Sequence, residues 1–252
     1  MKEEHIWYPD LVLQPQDKYE ITDVTKKLGK DFDLVVQTDP EYALYGDYKS
    51  PVVCFAVDCH VRDYRQREWD LIFGAHSWAF RSDEKHFRWL PCAYDPTWHF
   101  DMGHERYTDV AFVGVMEGEC YRGRPEGISA LLSNGLSVTC AIGKVYEEYN
   151  ALYNGAKMAL CSSARADLGC RVFENMAQGC LVLTDRVGDL GRVGFVENEH
   201  YLGYNGVAEL VAQAKRGIIG ELRERIVRQA KEAVIDCTWK RRAETILREV
   251  GL

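Results

Sequence analysis

The stretch Arg171-Val-Phe-Glu-Asn-Met-Ala-Gln-Gly179 sets a guanidinium and a carboxylate three positions apart, and the run after it ends at Asp185. Val172, Phe173, Met176 and Ala177 make one apolar side at helical spacing. Arg171, Glu174 and Gln178 point elsewhere, and Gly179 supplies the stop. A helix that begins at the carboxyl edge of a parallel sheet turns unpaired N–H groups and the positive end of its dipole outward. Such an end suits a diphosphate, and a carboxylate near it suits the hydroxyls of a ribose. Gly169, Cys170 and Arg171 form the start of this helix, so their backbone is the predicted diphosphate site, with Arg171 adding charge. The plainer alternatives are an Arg171–Glu174 surface pair, worth about 0.3 kcal/mol, and a glycine that only permits a turn.

Other candidates stand at the ends of strand-like runs. Asp58 and His60 follow the run 51–57, where either can act as a general base towards a hydroxyl or position a reacting group. His76 follows 70–73 with a weaker case of the same kind. Gly114 ends the run 109–113, where a missing side chain lets a ligand approach the backbone. Arg124, with Arg122 as competitor, offers positive charge to a departing diphosphate. A structural histidine and an exposed loop arginine are the plain readings. Asp95 reads as cleft lining or a turn, and Trp89, Trp98 and Phe100 as core packing in preference to stacking on a sugar or base. The Asp31-x-Asp33 pair only introduces a strand, and no histidine or cysteine spacing suits a metal, so no metal site is expected.

These residues need a scaffold, and the apolar pattern supplies one. Strand-like runs recur at 33–36, 51–57, 70–73 and 87–90. From Thr108 the rhythm is plainer: strands at 109–113, 136–142, 157–161 and 180–184 alternate with helices at 127–132, 146–153 and 171–179. A loop at 187–191 and a late strand at 201–205 follow, then amphipathic helices at 222–234 and 239–250. The alternation predicts an α/β fold with a parallel sheet covered by helices on both faces. The change of pattern near 104–107 divides the chain into 1–106 and 107–252.

With 252 residues, 46% apolar and 28% charged, the chain has the composition of an ordinary globular protein. No apolar run approaches the roughly 18 residues of a membrane span, and the first residues lack the features of a signal peptide. A cytoplasmic protein is therefore expected. Nine cysteines, an odd number without a C-x-x-C, read as reduced and mostly buried. A net charge of −8 argues against broad binding to nucleic acid.

Five segments in one order carry a resemblance: 51–60, 89–95, 109–114 with Arg124, 171–179, and 238–243. Together they resemble GT-B-fold glycosyltransferases, in particular the spore-maturation-protein-like branch of the group 1 enzymes. The resemblance implies two Rossmann-like domains facing a cleft, with an abbreviated N-terminal acceptor-side domain. A C-terminal domain would bind the nucleotide sugar, and a final helix would cross back to brace the first. It implies sugar transfer (hexosyl transfer) from a nucleoside-diphosphate sugar such as a UDP-sugar to a hydroxyl acceptor, without metal or other cofactor. Glu174 would then hold the ribose. Many relatives carry two glutamates with seven residues between them, the second matching Glu174; here the first position is Ala166, and the adjacent Asp167 would stand in to hold donor-sugar hydroxyls. The alternatives are an epimerase acting on a nucleotide sugar and a catalytically silent binding protein or partner subunit. A modified DNA base is a further acceptor to consider, with the acidic charge against it.

Overall fold

Short apolar runs bounded by charged turns form strands buried on both faces. Residues 181–185 have this character: four of five are buried. The computed structural model describes residues 32–38, 50–59, 63, 64, 68–80, 84–118, 121 and 123–252. Its first sheet contains β1 (Val35–Gln37), β2 (Val52–Ala56), β3 (Leu71–Gly74) and β4 (Phe87–Trp89), parallel and in chain order. A 3₁₀ turn, Ser77–Ala79, follows β3.

The second sheet contains β5 (Thr108–Val113), β6 (Val138–Ala141), β7 (Ala156–Cys161), β8 (Leu181–Asp185) and β9 (Leu202–Tyr204). All pairs are parallel, in the order β6-β5-β7-β8-β9. Parallel neighbours need long crossovers. These are α1 (Gly123–Ser133), α2 (Tyr146–Asn154), α3 (Cys170–Ala177) and the segment holding α4 (Gly188–Arg192). Helices α5 (Val207–Gly217), α6 (Gly220–Val234) and α7 (Trp239–Val250) complete the chain. The chain leaves β5 on one side to make β6 and returns on the other to make β7. A crevice therefore opens between the carboxyl ends of β5 and β7, where open α/β sheets bind ligands.

Alternation along the strands builds two apolar layers. Ala111, Val113, Ala159 and Val182 face a cluster that also takes Phe55, Phe73 and Leu90 from the first sheet. Val110, Phe112, Met158, Leu160, Leu181 and Leu183 face the opposite cluster. Helix α7, last in the chain, packs on the first sheet. Its Trp239 ring stands edge-on to Phe55 at 5.7 Å, and Arg242 Nε donates to Pro91 O at 2.9 Å. Arg88 Nε meets Glu249 at 2.9 Å near the far end of the helix. Thr238 caps it by accepting from Arg241 N–H, and Gly251 closes it with a φ of 83°.

Three expectations are corrected here. Residues 187–191 are not a loop but largely the short helix α4, which buries Asp189 and Leu190. Helix α5 lies where no element was expected, although Val207, Leu210, Val211 and Ala214 have helical spacing. Cys140, expected to be buried, is exposed on the edge strand β6, while Cys54, Cys92, Cys161 and Cys180 are buried free thiols. The described cysteines form no disulfide. Among the described residues no helix is long and apolar enough to cross a membrane.

Arg106 ties the start of the second sheet together. Its Nη1 donates to Tyr153 O at 3.1 Å and Ala156 O at 2.7 Å, and its Nη2 to Gln178 O at 2.6 Å. Replacing it strands three carbonyls that water reaches poorly. Arg106→Ala is expected to lose about 2–4 kcal/mol of stability, seen as a lower urea midpoint with an unchanged m-value.

Candidate functional site

The site begins at the crevice. Gly114 follows β5 directly, and a Cβ added there would collide with Arg171 Nη1. The space predicted for a ligand is thus filled by the chain's own guanidinium. Arg171 Nη1 donates to Val113 O at 3.0 Å, and its guanidinium lies 5.4 Å from the centroid of the Phe112 ring. Arg124 lies in the first turn of α1, not on an exposed loop, and is 4% exposed. Its Nη1 donates to Val115 O at 2.8 Å and its Nη2 to Ser162 O at 3.0 Å, bridging the ends of β5 and β7. Two cationic groups therefore stand at the switch point, each donating to carbonyls there. Arg122 lies outside the described residues.

The loop from β7 to α3 is shaped by Asp167. Its Oδ1 accepts from Arg165 N–H at 2.9 Å and also from Ala164 N–H, around an Ala166 in left-handed conformation with φ 57°. Burial alone would raise the Asp167 carboxyl, but these backbone donors, with His76 nearby, bring it below its ordinary value. Next to it Ser163 N–H donates to Asp185 Oδ2 at 2.6 Å. Burial keeps the Asp185 carboxyl above its ordinary value despite that bond.

Gly169 is the N-cap of α3, with φ −76° and ψ 162° and no side-chain cap. Any residue adopts that backbone, and an added Cβ would meet only Asp167 Oδ2, at an ordinary 3.8 Å. The fold does not require glycine here; what its absence of side chain leaves open is the helix start. The Cys170 thiol is held well above its ordinary value by a hydrogen bond with the free thiol of Cys92 and then by burial, which favours the protonated form. Cys161, Ser162, Ser163, Asp167, Gly169, Arg171 and Val172 line a small hollow at this helix start.

Glu174 lies one turn further along, its side chain 15% exposed. Arg171 makes no ion pair with it. Instead Tyr149 Oη donates to Glu174 Oε2 at 2.5 Å, and His99 Nε2 faces Oε1 at 3.8 Å. The sequence reading singled out neither Tyr149 nor His99. The repeat of Tyr149 and Tyr153 at i,i+4 on α2, a short aromatic stripe, was the available signal.

From the first sheet, His76 is 2% exposed and its ring stacks on Trp78 at 5.9 Å. Ser77 N–H donates to Asp189 Oδ2 at 3.0 Å, and Ser77 Oγ bonds Asp189 Oδ1. The carboxyl ends of β3 and β8 meet at this contact. Asp58 is exposed after β2, its N–H donating to Tyr64 Oη at 3.2 Å; His60 lies outside the described residues. Asp95 holds a turn by accepting from Thr97 N–H at 2.8 Å. Trp98 packs against Tyr146 at 4.7 Å, Trp89 sits 6.0 Å from the Arg192 guanidinium, and Phe100 is 46% exposed rather than core. Asp33 is exposed and Asp31 lies outside the described residues. Among the described residues no group of His, Cys, Asp and Glu is placed to hold a metal ion.

The sequence model of a family described as "Glycosyl transferase-like" matches residues 132–248, which include α3 and its flanking strands. No curated protein matches the chain at a significant level. Among solved structures, the chain is similar to Anabaena HepE in complex with UDP and glucose. That match has 11% identity and a TM-score of 0.67, covering 91% of this chain and 80% of that one. It is similar to AviGT4, a glycosyltransferase of avilamycin A biosynthesis, with 15% identity, a TM-score of 0.64, and coverage of 91% and 76%. Sucrose-phosphate synthase from Thermosynechococcus elongatus gives 13% identity, a TM-score of 0.61, and coverage of 80% and 67%. The chain thus shares the parallel α/β fold of GT-B glycosyltransferases of known structure.

The two glycines separate by substitution. Gly169→Ala is expected to change stability by less than about 0.5 kcal/mol, whereas Gly114→Ala, which displaces Arg171, is expected to cost about 1–3 kcal/mol; urea unfolding distinguishes them. Asp167, with its lowered native value, stabilises the fold above the ordinary carboxylate range, and that contribution is lost as pH falls through the native value. The stability gap between wild type and Asp167→Asn is therefore expected to be full above pH about 5 and to close below pH about 4. Unfolding followed across that range measures it.

Proposed function

We propose that this protein transfers a sugar from a nucleoside-diphosphate sugar to a hydroxyl acceptor. The observation that carries the reading is the grouping at one switch point of the Glu174 carboxylate, the open N-terminus of α3 and the Arg171 guanidinium. The match of a glycosyl transferase-like family over the same stretch supports it. In this reading Glu174 accepts the ribose hydroxyls. The N–H groups at Gly169, Cys170 and Arg171 receive the diphosphate, with the Arg171 side chain beside them. Asp167 Oδ2, on the side of the carboxylate away from its backbone donors, accepts donor-sugar hydroxyls in place of the glutamate that relatives carry at position 166.

Breaking the bond between sugar and phosphate builds negative charge on the leaving diphosphate. Donors fixed in advance lower that barrier because they need no reorganisation. The helix start and Arg171 supply such a field here, so the reading needs no metal ion. Arg124 acts behind them, fixing the ends of β5 and β7 against each other. The two sheets correspond in this reading to an acceptor-side and a donor-side domain of GT-B type facing a cleft, with α7 returning to the first. The order of the five motif segments favours the spore-maturation-protein-like branch. Asp58 or His60, after β2, reaches the acceptor hydroxyl. HepE is described as bound to UDP and glucose, which makes a uridine donor the first to try.

A thermal-shift panel of UDP-, GDP- and dTDP-sugars, followed by mass spectrometry of products, tests the reading. The expected result is stabilisation by one donor and a mass gain of one sugar on an added acceptor. Glu174→Ala is expected to weaken that donor about tenfold or more. A donor that binds without hydrolysis or transfer would point instead to a silent nucleotide-sugar binding protein, and conversion without acceptor to an epimerase.

A further inference from the structure

Glu174 is held on both sides before any ligand arrives. Tyr149 Oη donates to its Oε2 at 2.5 Å, a short charge-assisted bond. Tyr149 is buried on α2, its ring edge-on to Tyr153 at 4.7 Å and to His99 at 5.7 Å. Tyr153 Oη in turn accepts from Val113 N–H at 2.9 Å, which fixes this aromatic stack to the end of β5. On the other side, Asp95 N–H donates to His99 Nδ1 at 3.3 Å. That bond leaves the ring proton of the neutral imidazole on Nε2, the atom turned towards Glu174 Oε1.

A carboxylate on a flexible stem of two methylenes has two oxygens and about four acceptor positions. To receive two neighbouring hydroxyls at once it must present both oxygens in one fixed plane. We propose that Tyr149 is a positioning residue that locks the Glu174 carboxylate in the plane needed by the ribose diol, and so sets the preference for ribonucleotides over their 2′-deoxy forms. The inference rests on the ribose reading of Glu174 given above. Tyr149 does not touch the donor; it occupies one acceptor position on Oε2 and leaves the rest for the sugar. Burial, and then the negative charge of Glu174, hold the phenol far above its ordinary value, so it remains a donor throughout the working pH range.

Calorimetric titration of UDP and GDP, each against its 2′-deoxy form, tests this on wild type, Tyr149→Phe, Glu174→Ala and the double variant. Wild type is expected to favour the ribonucleotide of the better base by about tenfold. Tyr149→Phe is expected to bring that ratio most of the way to one, and the double variant to match Glu174→Ala alone, because both changes act through one group. In donor kinetics Tyr149→Phe raises KM and spares kcat. A Tyr149→Phe protein that binds both forms more weakly but keeps the wild-type ratio would mean a packing role only and overturns the proposal, provided Glu174→Ala abolishes the ratio. If Glu174→Ala keeps the ratio, or wild type ignores all four nucleotides, the ribose reading itself falls and this inference falls with it.

Discussion

The guanidinium of Arg171 lies where position 114 has no side chain, bonded to the carbonyl of Val113 at 3.0 Å. Much of the site depends on that one contact. It ties the first turn of α3 to the end of β5, across the gap left when the chain switches from one side of β5 to the other. Any side chain at 114 would expel it. The helix start would then lose that bond and the present placement of its nearest positive charge, while Val172, Phe173 and Met176 keep α3 on the sheet. Glycine at the end of a strand is commonly read as making room for a ligand; here it makes room for the residue that would meet the ligand.

The polar groups around this contact are satisfied by backbone more than by one another. Arg171 and Arg124 each donate to carbonyls at the strand ends. Asp167 accepts from the N–H groups of its own loop. Charges held by fixed dipoles keep their positions at the ends of β5 and β7.

Much of the frame was legible because period and punctuation agreed. Strands such as 109–113 and 157–161, and the helix 239–250, stand where the apolar pattern put them. Alternation alone could not say how the strands are ordered, yet the switch between β5 and β7 is what locates the site. Arg171 and Glu174 were singled out from spacing, but their partners were not. Tyr149 and His99 come from a different helix and from the segment before β5, and contacts between segments leave no periodic trace in a single sequence. Arg124 had an exposed loop arginine as its plain reading; it lies instead buried in the first turn of α1, where the following Pro125 is well placed.

Asp189 has a consequence for motion. It is 3% exposed, and Ser77, which follows β3 of the other sheet, grips it through backbone and side chain at once. Drawing the two sheets apart would break both bonds from Ser77 and leave Asp189 to Arg192, whose Nε lies 3.8 Å from its Oδ1, at a cost of about 1–3 kcal/mol. The serine–aspartate clasp therefore opposes separation of the segments that follow β3 and β8, pinning the two sheets together at their carboxyl edges.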